Sequence, residues 1–483
     1  MRFAAIQNQR RWVTLAVFSV ALGLAAIAAR PYAGGWNDGS RLATVESLVD
    51  YRTLAIDESV FVKPPSTASG QPGPYAASDL LSSTFGTGDK LYIDGHYYSD
   101  KSPVPALGMG LIYYVTKQLT GLIASERVDV FCRWLTVVSS GLAYAVSVAA
   151  FFVLFQEVGL TQSLSLVVSA SFGLSTMALT YSEHVNNHIL FLGVSSVLML
   201  ELFRWCKSIQ DGIQDRWRLC WIGCLIGAGY TIDLGVGPPL IAAAGLLIIY
   251  QTRSLPSLAS FAAGMLPLLV LHHAVNYWVG GSLAPANANP AYFDWPGCSF
   301  NSQNMTGGWH HTSFGKFVLY AAALLFGKRG FIGHNLPLFL LFPAAVLLIR
   351  ECSRFRPLVV FGLVWSTLTW LIYAVNSTNS SGQCCSIRWF LPLLAPLFVV
   401  VGLGIQQRPK WRPVFFILSF WGAILASQMY VPGPWMKHMV PGFWQIQAAT
   451  FLSMLVWHIL RGRFQRAEAT RINSFVPIQR EAA

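Results

Sequence analysis

The stretch GDKLYIDGHYYSDKSPVPALGMGLIYYV, residues 88–115, decides the fold. Its first half carries three aspartates, two lysines, a histidine and three tyrosines, whereas the part from Pro103 onward has no charged residue. Titratable side chains therefore stand directly beside a segment apolar enough to enter a lipid bilayer. This arrangement predicts a polar site at the edge of a membrane protein.

The rest of the chain has the composition of a membrane protein. Of its 483 residues, 54% are hydrophobic and 11% are charged, whereas about 25% are charged in a typical soluble domain. Apolar runs long enough to cross a bilayer recur along the chain, and a backbone in lipid must form helices to satisfy its hydrogen bonds. We therefore predict an all-α polytopic membrane protein. The net charge of +12 does not indicate nucleic-acid binding, because Lys and Arg fall mainly in short loops that orient helices.

The basic loops also predict the topology, because such loops stay in the cytoplasm. Twelve spans place every basic cluster and both termini on that side. The predicted spans are residues 12–29, 131–155, 162–181, 188–204, 217–233, 236–251, 256–275, 332–349, 357–375, 388–405, 413–431 and 442–460. Segments 104–123 and 316–327 are predicted to lie in or dip into the outer interface instead. The first run resembles a signal peptide, but its length favours a retained helix.

This topology gives a membrane domain, residues 1–461, and a polar cytoplasmic tail, residues 462–483. It also creates two large outer loops, residues 30–130 and 276–331. The first loop holds nine of the 21 acidic residues of the chain between Asp38 and Asp100. Its early apolar residues follow helical spacing, so we expect interfacial helices in this loop.

Four motifs carry a family resemblance. In chain order they are DGSRLA at 38–43, GHYYSDKSP at 95–103, GKRGF at 327–331 and GQCCSIRWFLP at 382–392. They resemble D-E-x-R-Y-A, G-x-x-Y-x-x-K-P-P, G-x-R-G-L-F and G-G-x-x-x-G-x-R-Y-L-x-P of the GT-C membrane glycosyltransferases. The similar branch is the bacterial lipid-carrier-dependent one, related to protein mannosyltransferases (glycosyltransferase family 39) and to the aminoarabinose transferase of lipid A. The departures are Gly39 for the second acid, Ser102 for a proline and the pair Cys384-Cys385.

The resemblance implies both a fold and an activity. The fold would be a GT-C-like bundle of about twelve transmembrane helices with a large first outer loop. The activity would be inverting transfer of a sugar from a polyprenyl-phosphate carrier to a hydroxyl of a lipid, glycan or protein acceptor. The site would lie on the outer face of a bacterial cytoplasmic membrane, whose bilayer holds the carrier tail. No cofactor or nucleic-acid partner is expected, and the need for a divalent metal stays open.

The motif match assigns roles to individual residues. Asp38 would be the base that takes the acceptor proton, with Asp57 in reserve. Lys101 is the first candidate to hold the lipid phosphate, followed by Arg388 and Arg41, because cations stabilise the charge that builds on a leaving phosphate. Each has a structural alternative: Asp38 as a helix cap, Lys101 as an interfacial lysine, and Arg388 as an anchor at a helix end.

Five residues are weaker candidates for contacts with the sugar or the acceptor: His96, Tyr98, Asp100, His184 and His188. The i, i+4 spacing of the last two would place both imidazoles on one helical face, where they could chelate a metal. The metalloprotease string H-E-x-x-H is absent, so a role in a pocket or a helix cap is favoured. We predict no metal site.

The eight cysteines say little about function. Five fall in or near helices or on the cytoplasmic side. Cys298, Cys384 and Cys385 fall on outer loops, so a disulfide between Cys298 and one of the other two is the natural expectation in an oxidising compartment.

Two other classes of membrane protein compete with a transferase, and one of them, the secondary transporter, also has about twelve spans. A secondary transporter is expected to show ionisable groups or broken helices near mid-membrane, whereas these runs are nearly free of charge. A flippase or ligase for polyprenyl-linked glycans handles the same carriers. Both classes stand as alternatives, and the density of polar residues in the first outer loop favours a transferase.

Overall fold

The computed structural model describes residues 2–65, 72–301, 305, 307–352 and 354–474. These residues form a helical bundle with one small sheet. The α-helices are α1 (Arg2–Ala28), α2 (Trp36–Glu46), α3 (Leu80–Phe85), α4 (Pro103–Thr120), α5 (Val128–Thr136), α6 (Leu142–Val158), α7 (Gln162–Leu174), α8 (Ala178–Tyr181), α9 (Asn187–Gln210), α10 (Arg216–Ile232), α11 (Gly237–Thr252), α12 (Leu255–Gly280), α13 (Phe314–Phe326), α14 (Phe331–His334), α15 (Leu341–Glu351), α16 (Arg356–Asn376), α17 (Leu394–Gln407), α18 (Arg412–Tyr430) and α19 (Phe443–Ser474).

The sheet is a hairpin inside the stretch quoted above, and it departs from the all-α prediction. Strand β1 (Lys90–Ile93) pairs antiparallel with β2 (His96–Ser99). The two residues between them, Asp94 and Gly95, have φ of 51° and 89°, as a type I′ turn requires. The Asp-Gly pair between apolar and aromatic residues is a known hairpin signal, so this element was predictable. It places Ser99, Asp100 and Lys101 at the entrance to α4.

Within the described residues, eight helical stretches are long and apolar enough to span a membrane. They are Asn8–Ala28, Val128–Val158, Asn187–Gln210, Leu255–Gly280, Arg356–Asn376, Arg388–Gln407, Pro409–Tyr430 and Phe443–Arg463. Three other predicted spans correspond to α7, α10 and α11, which have 13, 17 and 16 residues. Helices of that length reach only about 20–26 Å, less than the hydrocarbon thickness of about 30 Å. The exact count of twelve is therefore not confirmed.

The remaining predicted span, 332–349, is not one straight helix. The segment Phe314–His334 and the segment Leu336–Glu351 meet at an angle of 110°. Pro337 lies just after the break, where a missing backbone donor prevents a continuous helix. The pair adds a ninth span only if both arms count as one. The first arm of this pair includes α13, which covers residues 316–326 of the segment 316–327 that was predicted to stay at the interface.

The two ends of the bundle differ in chemistry. One end of the bundle carries His188, Asp233 and Arg388. These residues lie at the start of α9, just after α10 and before α17. The opposite ends of these helices carry basic residues such as Arg204 and Arg408. The basic end is held by ion pairs, for example Arg204 Nη2 to Glu157 Oε1 at 2.7 Å.

The last helix changes one expectation about the tail. Helix α19 continues to Ser474, so the first part of the predicted polar tail, residues 462–474, is helical. Residues 475–483 lie outside the described part of the chain.

Candidate active site

Asp38 lies in the first turn of α2 and is fully buried. Its Oδ2 atom accepts hydrogen bonds from the backbone N–H of Gly34 (3.0 Å) and from Nε1 of Trp435 (2.8 Å). Its Oδ1 atom is buried without a hydrogen-bond partner. The N-cap of α2 is Gly35, and no side chain caps the helix, so Asp38 is not the helix cap; its Oδ2 atom binds the chain just before the helix instead. The other oxygen is left for a ligand, as the predicted role of a base requires.

Two guanidinium groups lie close enough to Asp38 for their charges to act on it, those of Arg41 and Arg388. Arg41, one turn later on α2, donates from Nη1 to the backbone oxygen of Asn37 at 2.8 Å. The guanidinium of Arg388 lies over the Trp435 ring, 5.0 Å from its centroid. The Nε atoms of both arginines are buried and make no hydrogen bond. Because buried polar atoms are normally paired, these two donors and the free carboxylate oxygen indicate a ligand site.

The electrostatics of this cluster suit a group that takes up a proton. Burial raises the pKa of Asp38 to about 7, against the hydrogen bond from Trp435 and the charges of Arg41 and Arg388, which lower it. Burial lowers the pKa of Arg41 in turn. A carboxylate with a pKa near the working pH is well matched to general-base chemistry.

Sequence reasoning missed Trp435 and the contacts that hold its loop. Arg329, known above only as part of a motif, donates to three backbone oxygens: Gly382 (2.7 Å), Lys437 (2.9 Å) and Met436 (3.4 Å). This guanidinium therefore ties the loop before Arg388 to the loop that carries Trp435. No local pattern at Trp435 could have revealed a contact 397 positions away in the chain.

Lys101 is already paired. Its ammonium lies 2.7 Å from Asp89 Oδ2 and 2.6 Å from Asp100 Oδ2, and its side chain is only 16% exposed. The Ser40 hydroxyl joins this group to α2, with 2.6 Å to the hydroxyl of Ser99 and 3.5 Å to Asp100 Oδ1. The charge of Lys101 is thus compensated by two carboxylates, whereas Arg41 and Arg388 keep free donors.

We expect Lys101→Ala to lower the stability of the protein, because it leaves two buried carboxylates without their cation. Breaking such a group costs about 3–5 kcal/mol. The measurement is thermal unfolding of the purified protein. The control is the double variant Lys101→Met, Asp89→Asn, which removes the positive charge together with one of the two negative charges. Unchanged stability of Lys101→Ala would show that the lysine is free for another partner.

Asp57, the second candidate for the base, lies beside His96 rather than beside Asp38. The Asp57 carboxylate accepts from the backbone N–H of Tyr97 at 3.0 Å and lies 3.2 Å from Nδ1 of His96. The His96 side chain is 62% exposed. These contacts stabilise the hairpin, and the structure does not bring Asp57 or His96 to Asp38.

The two histidines of the i, i+4 pair do not share a helical face. Helix α9 begins at Asn187, after Asn186, whose side chain caps it. His184 therefore lies before the helix, with Nδ1 3.2 Å from the backbone oxygen of Tyr32, whereas Nδ1 of His188 lies 3.0 Å from Asp233. The one-face expectation was wrong because the helix starts between the two. Within the described residues no group of three or more His, Cys, Asp or Glu side chains could hold a metal.

His188 nevertheless belongs to the cluster, because it lies within electrostatic range of Arg388 and Arg41. A further buried carboxyl, Glu183, was given no role from the sequence. It accepts from Nε of Arg30 at 2.8 Å, and burial raises its pKa to about 8.

Gly39, which replaces the second acid of the family pattern, has a steric explanation. A Cβ atom at this position would lie 2.1 Å from the Tyr75 hydroxyl. Tyr75 is buried, and its hydroxyl donates to the backbone oxygen of Phe61 at 2.8 Å. The tyrosine therefore occupies the space that a side chain at position 39 would need.

The expected disulfide is not formed. Cys298, Cys384 and Cys385 are free thiols. Cys384 is buried and donates to the backbone oxygen of Ser386 at 2.8 Å, whereas Cys298 packs in a separate cluster with Leu91. The two loops therefore place Cys298 and Cys384 in different parts of the protein.

Comparison with known proteins finds similarity in structure only. No family model matches the chain, and no curated protein sequence does. ArnT from Cupriavidus metallidurans in the apo state aligns with a TM-score of 0.50 and 15% identity, over 93% of this chain and 69% of that chain. The same protein bound to undecaprenyl phosphate gives 0.49 and 12%, over 87% and 70%.

The oligosaccharyltransferase from Archaeoglobus fulgidus, in its apo form, gives a TM-score of 0.44 with 10% identity, over 90% of this chain and 56% of that chain. The apo ArnT alignment extends over 93% of this chain rather than over one motif. The chain therefore shares its overall fold with ArnT, which agrees with the fold class expected from the resemblance.

Proposed function

We propose that this protein is an integral-membrane glycosyltransferase that moves a sugar from a polyprenyl-phosphate carrier to a hydroxyl of an extracytoplasmic acceptor. The observation that carries the proposal is a set of three unpaired buried atoms on side chains whose charges act on one another: Oδ1 of Asp38, Nε of Arg41 and Nε of Arg388. Two cationic donors beside a carboxylate suit an anionic leaving group and a proton acceptor in one place.

In the proposed reaction, Arg41 and Arg388 hold the carrier phosphate. The acceptor oxygen attacks the anomeric carbon, the carbon–oxygen bond to the phosphate breaks, and the bonding electrons leave on the phosphate. The proton of the acceptor hydroxyl passes to Asp38. The carrier phosphate gains one negative charge, which the two guanidinium groups stabilise. A single displacement of this kind inverts the anomeric carbon.

The distribution of charge supports an outer location for this site. Arg41 and Arg388 lie at the end of the bundle opposite to Arg204 and Arg408. Basic residues at helix ends face the cytoplasm in most membrane proteins, so the site end would face outward. ArnT, whose fold this chain shares, has been crystallised with undecaprenyl phosphate bound. That complex supports the proposal of a lipid-phosphate donor for this chain.

The test is transfer of a radiolabelled sugar from polyprenyl-phosphate donors to total cell-envelope acceptors by the purified protein. Transfer by the wild type with at least one donor is the expected result. The absence of transfer with every donor tried, by protein shown to be folded, would turn the interpretation towards a flippase or a transporter.

Gly34→Ala is expected to slow this transfer, whereas Gly35→Ala is not. A Cβ atom at Gly34 would lie 2.3 Å from Cδ1 of Trp435, so the indole must move away from Asp38. A hydrogen bond to a charged group contributes about 1.5–3 kcal/mol, so the rate should fall about 10- to 100-fold. Gly35 is a matched control, because a Cβ there meets nothing within 4 Å and its φ of 172° is extended. Equal rates for the two variants would contradict the role of Trp435.

A further inference from the structure

The loop that precedes Arg388 contains a turn with an unusual backbone. Ser380, Ser381 and Gly382 have φ of 50°, 64° and 81°. A residue other than glycine rarely adopts positive φ, because its Cβ atom crowds the backbone there. Two such serines in succession cost free energy, and backbone strain persists only where the surrounding structure stabilises it. The turn therefore keeps this shape only because neighbouring groups bind it.

This turn is in direct contact with Arg388. The backbone N–H of Arg388 donates to Oγ of Ser381 at 3.2 Å. A Cβ atom at Gly382 would lie 4.0 Å from Nη2 of Arg388, which is an ordinary van der Waals distance. A change in the turn would therefore move the guanidinium group that we assign to the carrier phosphate.

Arg329 binds this turn and the Trp435 loop at the same time. Its Nη1 atom donates to the backbone oxygen of Gly382 at 2.7 Å. Its Nη2 atom donates to the backbone oxygens of the two residues after Trp435, at 3.4 Å and 2.9 Å. Trp435 in turn donates to Oδ2 of Asp38. One guanidinium group thus connects the turn beside the phosphate ligand to the loop that binds the base.

Arg329 is itself poorly placed to bind the phosphate. Its Nη atoms already donate to three carbonyl oxygens, and these partial negative charges would repel an anion beside them. We propose that Arg329 is a positioning residue, which keeps Arg388 and Trp435 in the arrangement that phosphate binding and proton uptake require. The effect on catalysis rests on the proposed function, whereas the hold of Arg329 on the two loops does not.

The first experiment observes the loops and needs neither ligand nor transfer. Hydrogen–deuterium exchange, read by mass spectrometry, compares the wild type with Arg329→Met in lipid nanodiscs. We expect faster amide exchange in residues 380–388 and 433–438 together, because both lose a contact that restricts local opening. The fold should be retained, since the backbone N–H of Cys385 also joins these loops by donating to the backbone oxygen of Pro434 at 2.9 Å.

Lys328→Met is the matched control for this experiment. Lys328 is the exposed neighbouring cation and makes no hydrogen bond or ion pair with the part of the chain that the structure describes. Equal exchange in Arg329→Met and Lys328→Met, or faster exchange in only one of the two loops, would overturn the proposal.

A second experiment separates positioning from direct binding of the phosphate. The rise in unfolding temperature on addition of undecaprenyl phosphate gives the affinity of the wild type, Arg329→Met, Arg388→Ala and the double variant. Arg329→Met should weaken binding about 3- to 10-fold, because a side chain that has lost its support must be ordered when the ligand binds. The double variant should bind as Arg388→Ala does, because Arg329 acts through Arg388.

The outcomes of this second experiment are distinguishable. A further loss in the double variant, as large as that in Arg329→Met alone, would make Arg329 a direct ligand and overturn the proposal. Unchanged binding by Arg329→Met would overturn it as well. If the wild type does not bind undecaprenyl phosphate but both loops exchange faster in Arg329→Met, the proposed function fails while the hold of Arg329 on the loops is supported.

The pH profile of an active preparation tests the connection to Asp38. The hydrogen bond from Trp435 and the charge of Arg388 both lower the pKa of Asp38. Arg41 and the backbone N–H of Gly34 also lower this pKa, but neither is bound by Arg329. Arg329→Met should therefore raise the pKa and move the acidic limb of the rate profile to higher pH, and an unshifted limb would overturn the connection.

Discussion

Asp38→Asn is expected to reduce sugar transfer about 10²- to 10⁴-fold, the usual loss when a general base is removed. The amide keeps an oxygen that can accept the hydrogen bonds from Gly34 and Trp435, so the fold should be retained. The measurement is the initial rate of transfer from a polyprenyl-phosphate donor, with the thermal stability of the variant determined in parallel. Asp57→Asn is the matched control, because this carboxylate binds the hairpin and not the cluster. Loss of transfer in Asp57→Asn alone would give the role of base to Asp57.

The pH profile of the wild type should report the same carboxyl. Only ionised Asp38 can accept a proton, and burial holds its pKa at about 7. Transfer should therefore be full at a pH well above 7 and fall about tenfold for each unit below it. A rate that is flat between pH 8 and pH 5 would show that no group with this pKa takes the proton.

Arg388→Ala is the second change with a large expected effect. Charge-assisted hydrogen bonds contribute about 1.5–3 kcal/mol each, so binding of the carrier phosphate should weaken about 10- to 100-fold. Arg388→Lys should recover only part of this affinity, because an ammonium lacks the planar fork that fits phosphate. The measurement is the rise in unfolding temperature on addition of undecaprenyl phosphate, which reports ligand affinity by mass action. Arg356→Ala, an exposed arginine at the opposite end of the bundle, should bind as the wild type does.

A second observation on Arg388→Ala links the two predictions. The positive charge of Arg388 lowers the pKa of Asp38, so its removal should raise that pKa and move the acidic limb of the rate profile to higher pH. If Arg388→Ala binds phosphate more weakly but the acidic limb of its pH profile does not shift, the base lies too far from Arg388 for the charge of this arginine to act on it.

The sequence predicted the fold class and the main members of the cluster, because both depend on local patterns. Apolar runs report burial in lipid directly, and Asp38, Arg41 and Arg388 stand in motifs that can be read one residue at a time. Their assigned roles stay predictions until the variants above are measured.

Contacts between distant segments could not be predicted in this way. Trp435 reaches Asp38, and Arg329 joins two loops, only because the bundle folds back on itself. The compensation of Lys101 by Asp89 depends on the hairpin, which brings together residues that are twelve positions apart. The count of twelve spans is not confirmed for a related reason, since hydropathy alone does not show that a helix is short or, as before Pro337, broken.

The contact between Gly39 and Tyr75 has a consequence for the history of this protein. A side chain at position 39 needs volume that the Tyr75 hydroxyl now fills, so an acidic residue fits there only if the tyrosine moves or is replaced by a smaller residue. These positions should therefore have changed together. Among homologues, those with Asp or Glu at the first position should carry a small residue at the second, and an ancestor reconstructed with one exchange but not the other should fold poorly.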